Sequence, residues 1–176
     1  MNFYEISRVV LRFLFKVLFR LKAHGVENIP REGGVLLCSN HISYLDPPTL
    51  GIYVPRRLNY MAKSELFNFK PFAALITALG AFPVKRGGVS KEAIKTSLQL
   101  LREGHAILMF PEGTRNSDAS SAKRGAALLA IRSGAAVVPC RIVPGYRLFR
   151  RTHVIYGPPV DLSPFAGNTD GESLDK

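Results

Sequence analysis

A histidine and an aspartate with four residues between them, His41 and Asp46, are spaced for acid–base chemistry. His41 follows an apolar run, 34–38, that predicts a short buried strand, and Asp46 precedes two prolines that mark the start of a helix. A strand-to-helix turn can fold back so that the carboxylate meets one imidazole nitrogen, which leaves the other nitrogen free to accept a proton. The same residues also fit a plainer interpretation, a loop histidine beside an aspartate that caps the helix.

A second group of reactive side chains follows the clearest predicted core strand, 105–110. The loop there contains Glu112, Gly113, Thr114 and Arg115. Glycine lets backbone N–H groups face a ligand, and an arginine can bind a phosphate through two parallel hydrogen bonds. The loop therefore suggests an anion site, although a polar surface turn with an internal Glu–Arg pair would have the same sequence.

Two further cations follow predicted strands. Lys63 comes after the strand predicted at 58–62, and Arg86 follows the strand predicted at 81–85. Each alone is ordinary surface charge. Together with His41 they provide one base and several phosphate ligands, and the sequence has neither Cys–His spacing for a metal nor a Gly-x-Ser-x-Gly nucleophile. We therefore expect direct group transfer to an alcohol, without a metal or a cofactor.

The elements that position these residues alternate between strand and helix patterns from residue 34 to residue 143. This alternation predicts an α/β fold with a mostly parallel central sheet flanked by helices. Sites in such sheets lie beyond the carboxyl ends of the strands. The His41 turn, the Arg86 loop and the loop at 111–115 should therefore open at the same edge.

The composition of the chain limits the classes of molecule that it is expected to bind. The chain has 176 residues, enough for one domain with a sizeable core, and its formal net charge is +11 with 47% hydrophobic residues. Such a chain suits an anionic membrane, a phosphorylated substrate or nucleic acid. We do not expect nucleic acid, because the cations are divided between an apolar helix and strand-end loops. Cys38 and Cys140 lie in apolar runs and indicate core residues in a reducing compartment.

The first 22 residues predict an amphipathic helix. Arg8, Arg12, Lys16 and Arg20 recur every four residues, and apolar residues fill a wide arc opposite them. The charges exclude a membrane-spanning helix or a signal peptide. The pattern predicts a helix lying in a membrane surface, its basic face toward anionic headgroups. The alternative is a helix packed on the core with a solvated basic face.

Two other segments complete the predicted organisation. A helix is predicted at 65–79, broken or kinked at Pro71. Its stretch 72–79 is apolar on nearly all sides and is expected by default to be buried, the alternatives being that it lines an apolar tunnel or touches lipid. The polar stretch at 116–121 is expected to be mobile. The predicted domains are the helix at 1–22, a domain at 23–160 and a polar tail at 161–176.

Four short motifs carry a resemblance to a known family. The chain resembles the glycerolipid acyltransferases that share a His-x4-Asp motif, and the likeness covers roughly residues 20–160. The matching segments are Asn40-His41 with Asp46, Gly80 to Arg86 with Pro83 where many members have Phe, Phe110 to Arg115 followed by Asn116 instead of Ser, and Val138-Pro139. Any one of these motifs is weak, but all four in order are highly specific.

The resemblance implies acyl transfer from acyl-CoA or acyl carrier protein to the free hydroxyl of 1-acylglycerol 3-phosphate, giving phosphatidic acid, at the cytoplasmic face of the cell membrane. It implies that His41 is the general base and that Asp46 orients it. The substrate phosphate would be bound by Lys63, Arg86, Glu112, Gly113, Thr114 and Arg115. Acylation of glycerol 3-phosphate or another lysolipid, and a non-catalytic anionic-lipid-binding domain, remain as alternatives.

Overall fold

The computed structural model describes residues 2–84, 91–111, 119–143 and 145–165. The strands are β1 (Lys22–His24), β2 (Val35–Ser39), β3 (Leu58–Lys63), β4 (Ala81–Val84), β5 (Ala106–Met109), β6 (Ala136–Val143) and β7 (His153–Tyr156). The α-helices are α1 (Phe3–Leu18), α2 (Asp46–Gly51), α3 (Lys70–Ala78), α4 (Lys91–Arg102) and α5 (Ala119–Ser133). Short 3₁₀ helices lie at Val26–Asn28, Ser64–Phe67 and Ser163–Phe165.

The described strands form one sheet in the order β1-β7-β6-β2-β5-β3-β4. β2, β3, β4, β5 and β6 run parallel, whereas β7 is antiparallel to β6 and β1 is parallel to β7. Val35, Leu36 and Leu37 of β2 are fully buried. A strand covered on both faces needs no polar alternation, which explains the apolar run that predicted it. The predicted mostly parallel α/β sheet is therefore confirmed.

Helices cover both faces of the sheet. On one face, Phe15 of α1 and Leu50 of α2 join the cluster around Leu37. On the other, Leu101 of α4 and Leu129 of α5 join the cluster around Leu36. Burial of each leucine contributes about 1.5–3 kcal/mol, so these contacts fix where the helices lie.

Several predicted boundaries differ from the structure. The segment 65–79 contains the 3₁₀ helix Ser64–Phe67 and the separate helix α3, with Pro71 in the first turn of α3. Proline is tolerated there because N–H groups in the first turn have no carbonyl acceptor within the helix, so the N–H that proline lacks breaks no hydrogen bond. α5 begins at Ala119, so part of the stretch expected to be mobile is helical. The default expectation that 72–79 is buried is wrong, since α3 has no buried residue and Phe72 is 41% exposed.

The N-terminal helix differs from the prediction in where it ends and in the contacts of two of its arginines. α1 ends at Leu18, and Lys22 begins β1 instead of continuing the helix. The guanidinium groups of Arg8 and Arg12 donate hydrogen bonds to the carbonyls of Val54 and Ile52, which follow α2. Carbonyls at a helix end have no partner within the helix, so the guanidinium groups satisfy them.

Much of the apolar surface of α1 is exposed to solvent. Its outer side chains are 42–67% exposed, with the largest value at Phe13, and they are Phe3, Ile6, Val9, Val10, Phe13, Leu14 and Val17. Arg12, Lys16 and Arg20 are exposed as both interpretations expected, whereas Arg8 is half-buried, and contact of the helix with a membrane stays a prediction. Within the described residues, no helix combines the length and apolarity needed to cross a bilayer.

Candidate active site

The turn between β2 and α2 folds back on itself, as its spacing predicted. His41 Nδ1 lies 2.8 Å from Asp46 Oδ2, and the backbone N–H groups of Ile42 and Ser43 donate to the same oxygen at 2.6 and 2.7 Å. The Asp46 side chain is fully buried, whereas that of His41 is 21% exposed. His41 Nδ1 is therefore engaged in a hydrogen bond with Asp46, and Nε2 is the nitrogen that can accept a proton.

The buried carboxylate is held as an anion. Burial raises the pKa of Asp46, but hydrogen bonds from His41, Ser43, Ile42 and Tyr146 more than offset that effect, so its pKa lies below the ordinary value. An anion fixed beside the imidazole stabilises the positive charge that His41 acquires when it takes a proton.

Asp46 is not the helix cap that the plainer interpretation required. α2 begins at Asp46 itself, and Leu45 occupies the N-cap position without a side-chain hydrogen bond. The carboxylate turns back to the N–H groups of the preceding turn instead of forward to those of the helix. Its hydrogen bonds thus hold the turn around His41.

Tyr146 supports the other carboxylate oxygen and was not found by the sequence analysis. Its hydroxyl donates to Asp46 Oδ1 at 2.9 Å and lies 2.9 Å from Thr49 Oγ1. Burial raises the pKa of Tyr146 further above its ordinary value, so the phenol stays protonated as a donor. Its ring meets that of Phe19 edge-on, with centroids 5.3 Å apart. The contact joins residues 100 positions apart, and the only available signal was a tyrosine after an apolar strand.

Two other residues fix the position of the turn. The Phe110 ring stacks on the His41 imidazole with centroids 4.2 Å apart, which limits the rotation of the imidazole. Asn40 Oδ1 accepts a hydrogen bond from the Ile142 N–H at 3.1 Å. The ends of β2, β5 and β6 thereby meet around His41.

The predicted phosphate ligands are only partly described. Lys63 is the last residue of β3, and its Nζ lies 3.0 Å from Glu65 Oε1. Arg86, Glu112, Gly113, Thr114 and Arg115 lie outside the described residues. The strands that lead to them, β4 and β5, run parallel to β3 in one sheet with β2. Their carboxyl ends therefore lie at the edge where His41 is found.

The cysteines lie where the sequence suggested. Both thiols are free. Burial raises the pKa of Cys38 to about 11 and also raises that of Cys140, so neither is reactive near neutral pH. Among the residues that the structure describes, no group of three or more His, Cys, Asp or Glu side chains could hold a metal. The expectation that no cofactor is needed stays a prediction.

Comparisons with known proteins identify similar chains. The Acyltransferase family model matches residues 20–143. The 1-acyl-sn-glycerol-3-phosphate acyltransferase of Bacillus subtilis is 32% identical over 97% of this chain and 89% of its own length. The protein of the same name from Streptococcus pneumoniae is 29% identical over 92% of this chain and 64% of its own length.

A solved structure shows the same fold. It is the 1-acyl-sn-glycerophosphate (LPA) acyltransferase PlsC from Thermotoga maritima, with a TM-score of 0.64 and 23% identity over 99% of this chain and 83% of that one. The family match spans the region from the end of α1 to the end of β6 and includes the His41–Asp46 turn. On the family match and the Bacillus relative together, this chain belongs to the acyltransferase family.

Proposed function

We propose that this protein transfers an acyl group from a thioester, acyl-CoA or acyl carrier protein, to the free hydroxyl of 1-acylglycerol 3-phosphate. The product is phosphatidic acid. The observation that carries the proposal is the contact of His41 with the buried, anionic Asp46 at the carboxyl edge of the sheet. The names of the Bacillus and Streptococcus relatives support the choice of acceptor.

The reaction uses His41 as a general base. Its Nε2 removes the proton of the glycerol hydroxyl as that oxygen attacks the thioester carbonyl. The new C–O bond forms, the C–S bond breaks, and the imidazolium returns the proton to the departing thiolate. Asp46 stays ionised throughout and stabilises the imidazolium. Contributions of general bases of this kind are typically about 10²- to 10⁴-fold in rate.

The substrate phosphate is bound by the cations that follow neighbouring strands. Arg86 and Arg115 are proposed as the main ligands, with Lys63 beside them. Support comes from β3, β4 and β5, whose carboxyl ends lie at the His41 edge. Lys63 pairs with Glu65, so a phosphate would compete with that carboxylate for the ammonium group. Glu112, Gly113 and Thr114 complete the proposed loop.

The protein is proposed to lie on the cytoplasmic face of the cell membrane with the outer face of α1 in contact with lipid. Support comes from the exposed apolar side chains of that face, of which Phe13 is 67% exposed. Lys16 and Arg20 are exposed near the C-terminal end of α1 and can reach headgroup phosphates. The two free cysteines fit a reducing compartment.

An acceptor panel tests the proposal. The full chain is incubated with acyl-CoA or with acyl carrier protein and, in turn, with lysophosphatidic acid, glycerol 3-phosphate and lysophosphatidylcholine. Thiol release and the lipid product are both measured. We expect the highest kcat/KM with lysophosphatidic acid. Preference for another acceptor would contradict the assignment, and absence of thiol release with every acceptor would favour a non-catalytic lipid-binding domain.

A substitution in the proposed phosphate loop sharpens the test. Arg115→Ala removes charge-assisted hydrogen bonds of about 1.5–3 kcal/mol, so the KM for lysophosphatidic acid should rise about 10- to 100-fold. The matched control is Arg31→Ala, because Arg31 is exposed and precedes β2 at the opposite edge of the sheet. An unchanged KM in the Arg115 variant would remove this residue from the site.

A further inference from the structure

The loop between β6 and β7 contains a tight turn that presents two large apolar side chains to solvent. The Arg150 N–H donates to the Arg147 carbonyl at 3.1 Å, which closes a four-residue turn around Leu148 and Phe149. Leu148 is 63% exposed and Phe149 is 65% exposed. Phe149 has a φ of 60°, in the left-handed region where turns normally place glycine. A bulky aromatic residue thus takes an unfavourable backbone conformation at an exposed position.

Basic side chains surround this apolar tip. Arg147, Arg150 and Arg151 are exposed on the turn, and Arg20 and Lys22 are exposed on the neighbouring segment. Within the part of the chain that the structure describes, none of these side chains belongs to an ion pair. Like charges held close together without counter-ions favour an anionic partner.

The turn is attached to the C-terminal end of α1. The Phe149 N–H donates to the Leu18 carbonyl at 2.6 Å, and the Thr152 N–H donates to the Phe19 carbonyl at 3.0 Å. The exposed apolar face of α1 ends at Val17, directly before this junction. The turn also follows Tyr146, which contacts Asp46, so it lies at the edge of the sheet where the proposed active site opens.

We propose that residues 147–151, the arginine turn, are a second membrane contact that binds anionic phospholipid. Leu148 and Phe149 enter the boundary between headgroups and acyl chains, and the arginines bind lipid phosphates through charge-assisted hydrogen bonds. This proposal rests on the membrane attachment in the proposed function and extends it to a segment that follows β6. Because Tyr146 precedes the turn, docking there brings the acceptor lipid close to His41.

An anionic lipid surface fits the arginine turn better than an acidic protein does. Arginines alone would suit either partner. The apolar tip, however, adjoins the exposed face of α1, and together they extend an apolar surface with a basic border, which is the pattern of a segment lying in a bilayer interface. A protein partner remains a distinct outcome of the test.

The test measures binding of the full chain to vesicles made of phosphatidylglycerol and phosphatidylcholine in equal parts. The double variant Leu148→Ser, Phe149→Ser should bind about tenfold or more weakly than the parent chain, because two large apolar side chains no longer enter the lipid. The control is Ile155→Thr, which removes another exposed apolar side chain, from β7, and should leave binding unchanged. Activity on substrate dispersed in detergent should be unchanged in both.

A single substitution separates binding from folding. Phe149→Gly places the residue best suited to a positive φ at this position, so the midpoint of thermal unfolding should stay the same or rise. Vesicle binding should nevertheless weaken, since the aromatic side chain is lost. A variant that binds as tightly as the parent chain would overturn the proposal.

Charge is tested separately. The triple variant Arg147→Gln, Arg150→Gln, Arg151→Gln should lose most of the preference for these vesicles over pure phosphatidylcholine. If the parent chain binds and the turn variants bind equally well, the arginine turn is refuted while attachment through α1 stands. If the parent chain does not bind, membrane attachment itself fails and the turn with it. A raised KM for acyl carrier protein with unchanged vesicle binding would identify a protein-docking surface and overturn the lipid assignment.

Discussion

The turn that carries His41 and Asp46 buries a charged carboxylate, whereas the outer face of α1 exposes large apolar side chains such as Phe13 and Val17. Each region departs from the usual distribution of polarity, and the two depart in opposite directions. The buried carboxylate has hydrogen bonds to both of its oxygens. Within the described residues, no other side chains cover the exposed apolar face.

This difference indicates which region has its binding partners inside the protein and which requires a partner outside it. A buried charge costs several kcal/mol unless it is paired and hydrogen-bonded, and Asp46 meets both conditions inside the fold. A contiguous exposed apolar surface is uncommon on a monomer and marks a contact with something outside it. Substitutions at the turn should therefore change the chemistry and spare attachment, while substitutions on the α1 face should do the reverse.

The largest effect is expected from Asp46→Asn. An amide cannot stabilise the imidazolium as a carboxylate does, so kcat should fall about 10²- to 10⁴-fold with little change in vesicle binding. Steady-state kinetics and co-sedimentation on the same preparation measure both quantities. Asp161→Asn is the matched control, because Asp161 is exposed and accepts a hydrogen bond from the nearby Ser163 N–H. A parallel loss of binding would mean that the two regions are not separable.

The next effect concerns α1. Phe13→Ser combined with Val17→Ser should weaken binding to anionic vesicles about tenfold or more, since two side chains no longer enter the lipid. Activity in detergent micelles should stay within about twofold, because both side chains are at least half exposed and substitutions at such surface positions change stability little. If activity falls in micelles as well, the outer face contributes to the fold or to the site, and the comparison fails.

A smaller effect is expected from Tyr146→Phe, which keeps the ring against Phe19 and removes the hydrogen bond to Asp46. We expect kcat to fall about tenfold with an unchanged KM. In an Asp46→Asn background the same change should have little further effect, because the carboxylate it supports is absent. The control is Tyr44→Phe, which removes the hydroxyl of a tyrosine that is 90% exposed on the same turn. Additive losses would show that Tyr146 acts independently of Asp46.

The smallest effect concerns stability and pH. The pKa of Asp46 is lowered in the folded protein, so its ionised form stabilises the fold above the ordinary carboxyl pKa of about 4, and this contribution is lost as the pH falls through the folded value. Urea unfolding should show that the free energy of unfolding of the parent chain exceeds that of Asp46→Asn by about 1–3 kcal/mol at neutral pH. The difference should shrink below about pH 4. A difference that grows in acid would mean that the carboxylate is destabilising.

The His41 turn could be predicted because all its signals are local. An apolar strand, a short turn and a proline-marked helix start lie within a few residues of each other. Tyr146 could not be found this way, since its bond to Asp46 joins distant parts of the chain and no spacing rule connects them.

The orientation of α1 shows a different limit. Periodicity predicts that a helix has two faces, but it does not say which face meets the protein. That choice depended on the carbonyls of Ile52 and Val54, which need donors that Arg8 and Arg12 provide. The exposure of α3 has the same explanation, because an apolar sequence predicts a preference for apolar surroundings and not the presence of a neighbour that supplies them.

The most direct test of the account is the rate of acyl transfer to lysophosphatidic acid by His41→Ala, measured on the vesicles used for binding. The account predicts a loss of at least about 10²-fold in kcat, with vesicle binding close to that of the parent chain. His105→Ala serves as the control, because that imidazole is half exposed and lies at the start of β5, at the opposite edge of the sheet. If His41→Ala retains activity within about threefold of the parent chain, His41 is not the base and the proposed mechanism is wrong.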